Sequence, residues 1–99
     1  MVLLNGAQRR ILRGKANTLD PVIHVGKSGL TAGIVIAIET ALDDHELIKV
    51  RFLDYDREER KALSEKIVKR VSAALVGAIG NTAVYYRPSP LPEKRTIKV

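Results

Sequence analysis

The sequence lacks cysteine and tryptophan and contains a single phenylalanine among its 99 residues. Without cysteine it can form neither disulfide bonds nor thiolate zinc sites, which is typical of a protein from a reducing compartment. Helices that bind membrane surfaces depend on large apolar anchors, and such residues are scarce here. We therefore expect a cytoplasmic protein that does not bind membranes.

Long apolar runs are absent as well. The longest candidate, residues 33–38, is far shorter than the roughly 20 residues needed to cross a bilayer. Val2, Leu3 and Leu4 have no basic segment before them and no small-residue cleavage site after them, so we predict no signal peptide. A chain of this length fits one domain with one core, and a monomer is the default expectation.

Charge, in contrast, is plentiful and unevenly distributed. The chain carries 17 lysines and arginines against 11 aspartates and glutamates, a net charge of +6. Residues 1–30 hold five basic and one acidic side chain, residues 31–60 four and eight, and residues 61–99 eight and two, so these parts carry +4, −4 and +6. A small basic domain with segregated charge suggests that one face meets nucleic acid.

Three segments carry helical signals. Asn5 can cap a first helix of roughly residues 6–17, whose apolar stripe we assign to Ala7, Ile11 and Leu12. Thr31 can cap a second helix that runs to about residue 43. Its β-branched run, residues 34–36, would also suit a strand, but the segment is too long for a typical one. The third helix begins after Asp56, with Glu59 completing a capping box. The core stripes of the last two helices are Ile34, Ile38 and Leu42, and Leu63, Ile67 and Val71.

Short strands are predicted at residues 22–25, 46–53, 75–79 and 82–86. In the second strand Ile48, Val50 and Phe52 form the cleaner buried face. The Gly80-Asn81 pair between the last two strands predicts a two-residue hairpin. This order predicts a compact single-domain α/β sandwich, α-β-α-β-α-β-β, with a mixed four-stranded sheet.

The C-terminal segment differs in composition from the rest of the chain. Residues 89–99 are predicted to be a Pro-rich basic tail beyond a domain of residues 1–88. Because proline cannot join a central strand, we expect this tail to be an edge strand or a loose arm.

The segment Gly26-Lys27-Ser28-Gly29, the GKSG loop, lies between a predicted strand and a predicted helix N-terminus. Its glycines allow close approach of a ligand to the backbone, the helix start offers unpaired N–H groups, and Lys27 adds a positive charge, so phosphate is the expected partner. The spacing does not match the Walker loop, and Gly33 comes one residue too late for a dinucleotide fingerprint. A two-residue spacer is the pattern with which KH-type domains clamp nucleotide backbone, although the spacing alone also fits a structural turn.

A second group of cations lies on the first predicted helix. Arg9 and Arg13 are four residues apart and share a face, with Arg10 beside them and Lys15 further on. No acidic residue on this helix balances them. A solvated surface is the alternative, but an unbalanced basic cluster favours phosphate binding. The cations of the third helix have glutamates nearby, so we expect ordinary ion pairs there.

Other polar groups predict neither catalysis nor metal binding. The run Asp43-Asp44-His45-Glu46 contains ligand residue types, but adjacent residues at a helix end rarely converge on one ion. His24 fits a strand residue better than a catalyst. No Ser/His/Asp or paired-carboxylate arrangement is discernible, so we predict no catalytic residue, no cofactor and no small-molecule substrate.

Aromatic residues offer a further mode of nucleic-acid contact. Tyr55, Tyr85 and Tyr86 could stack on bases. Because successive strand residues point to opposite faces, at least one of the last two is expected to belong to the core.

Six stretches together form a pattern far more specific than the glycine spacing alone. They are Gln8-Arg9-Arg10-x-Leu12-Arg13-Gly14, Pro21-Val22-x-x-Val25-Gly26-Lys27-x-Gly29-Leu30-Thr31, Asp44-His45-Glu46-Leu47-Ile48-Lys49-Val50, Asp56-Arg57-Glu58-Glu59, Ile79-Gly80-Asn81-Thr82 and Tyr86-Arg87. In this order and spacing they closely resemble the YhbY-like, or CRM-domain, family, whose name stands for chloroplast RNA splicing and ribosome maturation. The resemblance covers roughly residues 4–88. The sequence departs from the family pattern at Lys15 and Asn17, where many members have an apolar residue and a histidine.

The resemblance implies a fold similar to the C-terminal domain of bacterial translation initiation factor three, and it implies RNA binding. Stand-alone members are linked to assembly of the large ribosomal subunit, and plant relatives act in group II intron splicing. Family contacts with RNA are attributed to the GxxG loop and the basic first helix. In this sequence the corresponding residues are Gly26, Lys27, Ser28, Gly29, Arg9, Arg10 and Arg13.

The implied function is that of a non-enzymatic RNA-binding protein acting on rRNA of the large-subunit precursor, or on a pre-ribosomal particle. Two alternatives stay open, a protein-interaction module on ribosomal particles and a chaperone of introns or other structured RNA. An enzyme that uses the loop for a nucleotide is disfavoured, because no general base lies near the loop in the sequence.

Overall fold

The computed structural model describes residues 3–99; Met1 and Val2, which belong to the predicted domain of residues 1–88, lie outside the described residues. The elements are α1 (Gly6–Ala16), β1 (Ile23–Val25), α2 (Ala32–His45), β2 (Leu47–Phe52), α3 (Arg57–Val71), β3 (Ala74–Ile79), β4 (Thr82–Tyr86) and a short 3-10 helix (Pro92–Lys94). The predicted single-domain α/β fold with a mixed four-stranded sheet is confirmed. No helix within residues 3–99 has the length and apolar character needed to cross a membrane.

The helix starts are set by side-chain caps at the predicted residues. Asn5 and Gln8 form a reciprocal capping box on α1, and Asp56 and Glu59 form another on α3. Thr31 accepts a hydrogen bond from an N–H in the first turn of α2. The β-branched run at residues 34–36 is helical. Ile34, Ile38 and Leu42, at four-residue spacing, pack one face of α2 against the core.

The sheet has the strand order β1-β2-β4-β3, with β1 and β2 parallel and the other pairs antiparallel. The Gly80-Asn81 turn joins β3 to β4, and the N–H of Phe52 donates to the Asn81 carbonyl over 2.7 Å. Similarly, the N–H of Leu53 donates to the Val25 carbonyl over 2.9 Å. Residues 26–29, 53–56 and 80–81 therefore lie together at one end of the sheet, which we name the loop end.

Each face of the sheet carries its own apolar cluster. The front face is covered by α1 and the back face by α2 and α3. The buried front cluster comprises Leu12, Ala16, Leu47, Val76, Val84 and Tyr86. The larger back cluster includes Val25, Ile38, Leu42, Ile48, Val50, Phe52, Ile67, Val71 and Tyr85. The molecule is therefore a three-layer α/β/α sandwich with α1 on the front face and α2 and α3 on the back face.

The apolar stripe of α1 differs from the predicted one. Leu12 and Ala16 are buried, whereas Ala7 is exposed and Ile11 is 46% exposed. Of the predicted stripe only Leu12 is correct, because α1 is short and is turned so that Leu12 and Ala16, one turn apart, face the sheet.

The C-terminal tail is neither an edge strand nor a loose arm. The Glu46 carboxylate, at the opposite end of the sheet from the GKSG loop, accepts hydrogen bonds from the N–H of Ser89 (2.6 Å) and the N–H of Thr96 (2.7 Å). Further along, Ile97 packs on the front cluster. The tail is thus folded back onto the domain by one buried carboxylate.

Candidate nucleic-acid interface

The GKSG loop forms a tight turn at the loop end. The N–H of Gly29 donates to the Gly26 carbonyl over 3.0 Å, and the hydroxyl of Tyr55 donates to the same carbonyl over 2.5 Å. No hydrogen bond found within residues 3–99 uses the N–H of Lys27 or Ser28, and both side chains are exposed. The tip of the turn therefore presents a cation, a hydroxyl and two unpaired N–H groups to solvent.

The two glycines of the loop have different physical roles. Gly29 has φ of +69°, a conformation that side chains other than glycine rarely adopt. Gly26 has no such requirement, and a Cβ built at Gly26 would meet nothing within 4 Å. The structure thus requires glycine at position 29, whereas at position 26 the missing side chain only leaves the surface open.

The cations of α1 do not form one continuous face. Arg9 is half-buried and its guanidinium donates to the Leu75 carbonyl on β3. The stem of Arg13 passes over Gly77, where an added Cβ would lie only 3.1 Å from the Arg13 Cδ. Arg10 and Lys15 are exposed. Arg9 and Arg13 therefore share one flank, as predicted, but Arg9 is partly committed to holding α1 on β3.

Lys15 lies on the other flank of α1. It borders a depression together with Leu19, His45 and Ile97, whereas Arg13 borders a different one. Its position where the family has an apolar residue is compatible with packing, since Lys15 remains exposed. Asn17, the second departure, ends α1 as its C-cap.

The front sheet face at the loop end is open because α1 does not reach it. The cross-strand row His24, Arg51, Thr82 and Ile79 lies there, and Ile79 is 75% exposed. One row towards α1, Lys49 and Arg13 border a shared depression of about 280 Å³. Arg51 thus extends the cationic surface across the sheet towards the GKSG loop. Half-buried Lys49 adds charge to it, but its ammonium group also donates a hydrogen bond to the Leu19 carbonyl over 2.9 Å.

Sequence reasoning did not nominate Lys49 and Arg51. The signal was present in the alternation of β2, which places both residues on the face opposite Val50 and Phe52. Recognising it required the knowledge that α1 covers only part of that face.

The cations at this surface have no carboxylate partners. Within residues 3–99 the structure shows two ion pairs, and Arg87 makes both, with Glu39 and Asp43. The ion pairs expected along α3 at four-residue spacing are absent, so that prediction is wrong: exposed lysines gain too little from such pairs to fix their long side chains. Unpaired cations keep their full attraction for phosphate.

Two of the remaining candidates, Asp43 and Glu46, have structural roles. Asp43 pairs with Arg87, Glu46 holds the tail, and no cluster within the described residues could hold a metal ion. Tyr85 and Tyr86 are both buried, so neither can stack on a base.

Both buried tyrosines titrate late. Burial raises the pKa of Tyr85 to about 12, and Ser64 beside it only partly offsets the effect. Within residues 3–99 the Tyr85 hydroxyl has no hydrogen-bond partner of good geometry. Burial also raises the pKa of Tyr86, which faces Glu46. Both phenols therefore stay neutral in the folded protein at physiological pH.

Comparisons with known proteins identify related sequences. Residues 4–87 match the model of the CRS1 / YhbY (CRM) domain. The chain is 44% identical over 89 residues to an RNA-binding protein of Haemophilus influenzae, covering 90% of each chain. It is 41% identical over 87 residues to the probable RNA-binding protein YqeI of Bacillus subtilis, covering 88% of this chain and 91% of that one.

A solved structure has the same fold. The solution structure of a Staphylococcus aureus protein superposes with a TM-score of 0.81 at 32% sequence identity, covering 97% of this chain and 100% of that chain. The similarity therefore extends over the whole sandwich and includes the tail.

Proposed function

Since the chain belongs to the CRS1 / YhbY (CRM) domain family, we propose that it binds RNA, and that its target is rRNA of the large-subunit precursor in the cytoplasm. The family and its RNA-binding relatives support the general function, and the resemblance described above supports the ribosomal target. The protein acts by binding and not by catalysis, as its relatives' names suggest.

The observation that carries the proposal is the surface of unpaired cations around the loop end. Lys27 and the unpaired N–H groups at the tip of the GKSG loop neutralise a phosphate, and the bare Gly26 lets the backbone approach it. Ser28 donates a further hydrogen bond. Gly29 holds the turn in the conformation that exposes these groups.

The cationic track continues on the front face. Arg51 and Lys49 lie between the loop and α1, where Arg13 and the exposed Arg10 extend the surface. Arg9 contributes charge but also fixes α1 on β3. A backbone that follows this track gains affinity mainly by releasing counterions, so binding should weaken steeply as salt concentration rises.

A charge-matched pair of variants tests the track. In the first, Lys27, Arg10 and Arg13 are changed to alanine; in the control, the exposed Lys66, Lys69 and Arg70 of α3 are changed instead. Both variants lose three positive charges. We expect the first variant to weaken binding of large-subunit rRNA fragments at least tenfold. It should also reduce the slope of log affinity against log salt concentration (the log–log salt slope) by about 2. The control should change both quantities much less.

The target is tested by cross-linking in cells, followed by sequencing of the recovered RNA. Reads that cluster on large-subunit rRNA and disappear in the first triple variant but persist in the control support the proposal. Reads that scatter like total RNA, or that are the same in all three proteins, contradict it.

A further inference from the structure

The back face has a cavity of about 540 Å³ at the loop end, between α3 and the β3–β4 hairpin. It exists because the first turns of α3 stand away from the small residues of the hairpin. Its floor and rim include Phe52, Leu75, Ala78, Ala83, Arg57 and Lys61. The volume lies within the range of small-molecule sites in proteins.

The chemistry of this cavity is mixed in an informative way. The floor is apolar, whereas the lining carries the exposed cations Arg57 and Lys61 and also the carboxylate of Glu65, with which neither cation forms an ion pair within residues 3–99. The Ser64 hydroxyl and the Asn81 amide also line the cavity and provide donors and acceptors. Flat apolar surface, a polar edge and an adjacent anion are together the features of a nucleotide.

The wall behind Ser64 contains an unsatisfied polar group. The Tyr85 hydroxyl is fully buried beside Ser64 and has no hydrogen-bond partner of good geometry within residues 3–99. Buried hydroxyl groups are normally paired, so this one leaves unused hydrogen-bonding capacity behind Ser64, although Tyr85 itself does not line the cavity.

The cavity is also close to the GKSG loop. The rings of Phe52 and Tyr55 meet edge to face with centroids 6.5 Å apart, and the Tyr55 hydroxyl bonds the Gly26 carbonyl. The Arg60 guanidinium fixes the Tyr55 carbonyl over 2.6 Å. One pair of packed aromatic rings therefore separates the loop from the cavity floor.

We propose that this cavity binds one unpaired nucleobase of the RNA, with the phosphate of that nucleotide at Arg57 and Lys61. The inference rests on the proposed function, because it places a base site beside the backbone track. Single-stranded RNA is the form whose bases are free to leave the stack and enter such a site.

The first test separates base from phosphate. Amide resonances of the ¹⁵N-labelled protein are followed while AMP, GMP, CMP, UMP or ribose 5-phosphate is added. We expect at least one nucleotide to shift the amides of Ala78, Asn81 and Ala83 in a saturable way, and ribose 5-phosphate to leave them in place. Equal shifts with ribose 5-phosphate, or none with any nucleotide, would overturn the base site.

The second test fills the cavity. Ala78 is exposed on the cavity side of β3, so Ala78→Phe adds a ring there without disturbing the core; Ala62→Phe adds the same ring to an exposed position of α3 outside the cavity. We expect Ala78→Phe to weaken binding of a single-stranded RNA octamer roughly five- to tenfold, as expected for one lost base contact, and Ala62→Phe to have no effect. Equal affinities for the two variants would contradict the proposal.

A double variant, Arg57→Ala with Lys61→Ala, covers the case in which Ala78→Phe does not fold. It should lose affinity for the nucleotide that binds the wild type, while the corresponding nucleoside, which has no phosphate, still shifts the same amides. Loss of the shifts caused by that nucleoside would contradict the assignment. If all cavity variants bind RNA normally while the Lys27, Arg10 and Arg13 variant does not, the base site fails and the proposed function stands.

Discussion

The two ends of the sheet treat charge in opposite ways. At the loop end, Lys27 and Arg51 are exposed and without carboxylate partners within residues 3–99, and so is Arg13 on the neighbouring helix α1. At the other end, Arg87 and Glu46 are largely shielded from solvent, and their charged groups form hydrogen bonds within the protein. Charge is structural where it is satisfied within the fold and available for a ligand where it is not.

At the end of the sheet opposite the loop end, Arg87 links the end of β4 to α2 and α3. Its guanidinium bonds the carboxylates of Glu39 (2.9 Å) and Asp43 (2.8 Å) on α2 and the Val71 carbonyl (2.7 Å) at the end of α3. The exposed residues of the loop end make no comparable network. The contrast predicts that substitutions at the two ends will separate stability from RNA binding.

The largest effect on stability is expected from Arg87→Ala. Removal of the guanidinium leaves the Val71 carbonyl and the Glu39 carboxylate without their partner, and the free energy of unfolding should fall by about 2–3 kcal/mol. Chemical denaturation measures the loss. RNA affinity, measured well below the unfolding midpoint, should stay within about twofold, and a large loss of affinity in a fully folded variant would show that the two ends are not independent.

Glu46→Gln should lower the free energy of unfolding by about 1–2 kcal/mol, the next largest effect, because a neutral amide replaces the carboxylate that holds the tail. Burial alone would raise the pKa of Glu46, but the hydrogen bonds from Thr96, Ser89 and Ile97 outweigh it, so the pKa lies below its ordinary value of 4.5. This contribution to stability is therefore complete above pH 4.5 and is lost as pH falls through the lower folded pKa.

The measurement is the free energy of unfolding of both proteins between pH 3 and pH 7. The difference between wild type and Glu46→Gln should be constant above pH 4.5 and shrink at lower pH. A difference that grows as pH falls would contradict the sign of the effect.

The glycines of the GKSG loop sharpen the comparison within a single turn. Gly29→Ala places a Cβ at φ of +69° and should cost about 1 kcal/mol of stability. Gly26→Ala meets open space, so stability should not change, but the added methyl group should obstruct phosphate and weaken RNA binding. Thermal unfolding and RNA titration of both variants are the measurements, and unchanged RNA affinity in Gly26→Ala would remove Gly26 from the proposed contact.

The fold was largely predictable because local signals agreed with each other. The Asn5 cap, the capping box of Asp56 and Glu59, the alternation in β2 and the Gly80-Asn81 turn each specify an element without reference to distant residues. Periodicity predicted the wrong apolar stripe for α1, because the burial of Arg9 and the exposure of Ile11 depend on how the helix lies across β3. The prediction for the tail was wrong because it also depended on a distant residue: the partner of the tail, Glu46, is more than 40 residues away in the sequence.

The candidate site was predictable only in part. The GKSG loop and the α1 cations are each a short segment of the sequence, so both could be recognised from it. Their role in RNA binding stays a prediction. Lys49 and Arg51 belong to the same surface only because α1 leaves the loop end of the front face uncovered, which is a property of packing. The back cavity is likewise assembled from β2, α3 and the hairpin.

Arg51→Ala should have only a small effect on stability and therefore gives a sharp test of the loop end. Arg51 is exposed and makes no ion pair within residues 3–99, so the free energy of unfolding should change by less than about 0.5 kcal/mol. If Arg51 contacts a phosphate, the variant should nevertheless weaken RNA binding and reduce the log–log salt slope by about 0.7. Arg70→Ala, an equal loss of charge on exposed α3, is the control. Equal slopes for the two variants would mean that net charge, and not the position of Arg51 between the GKSG loop and α1, governs binding, and the track across the open sheet would have to be abandoned.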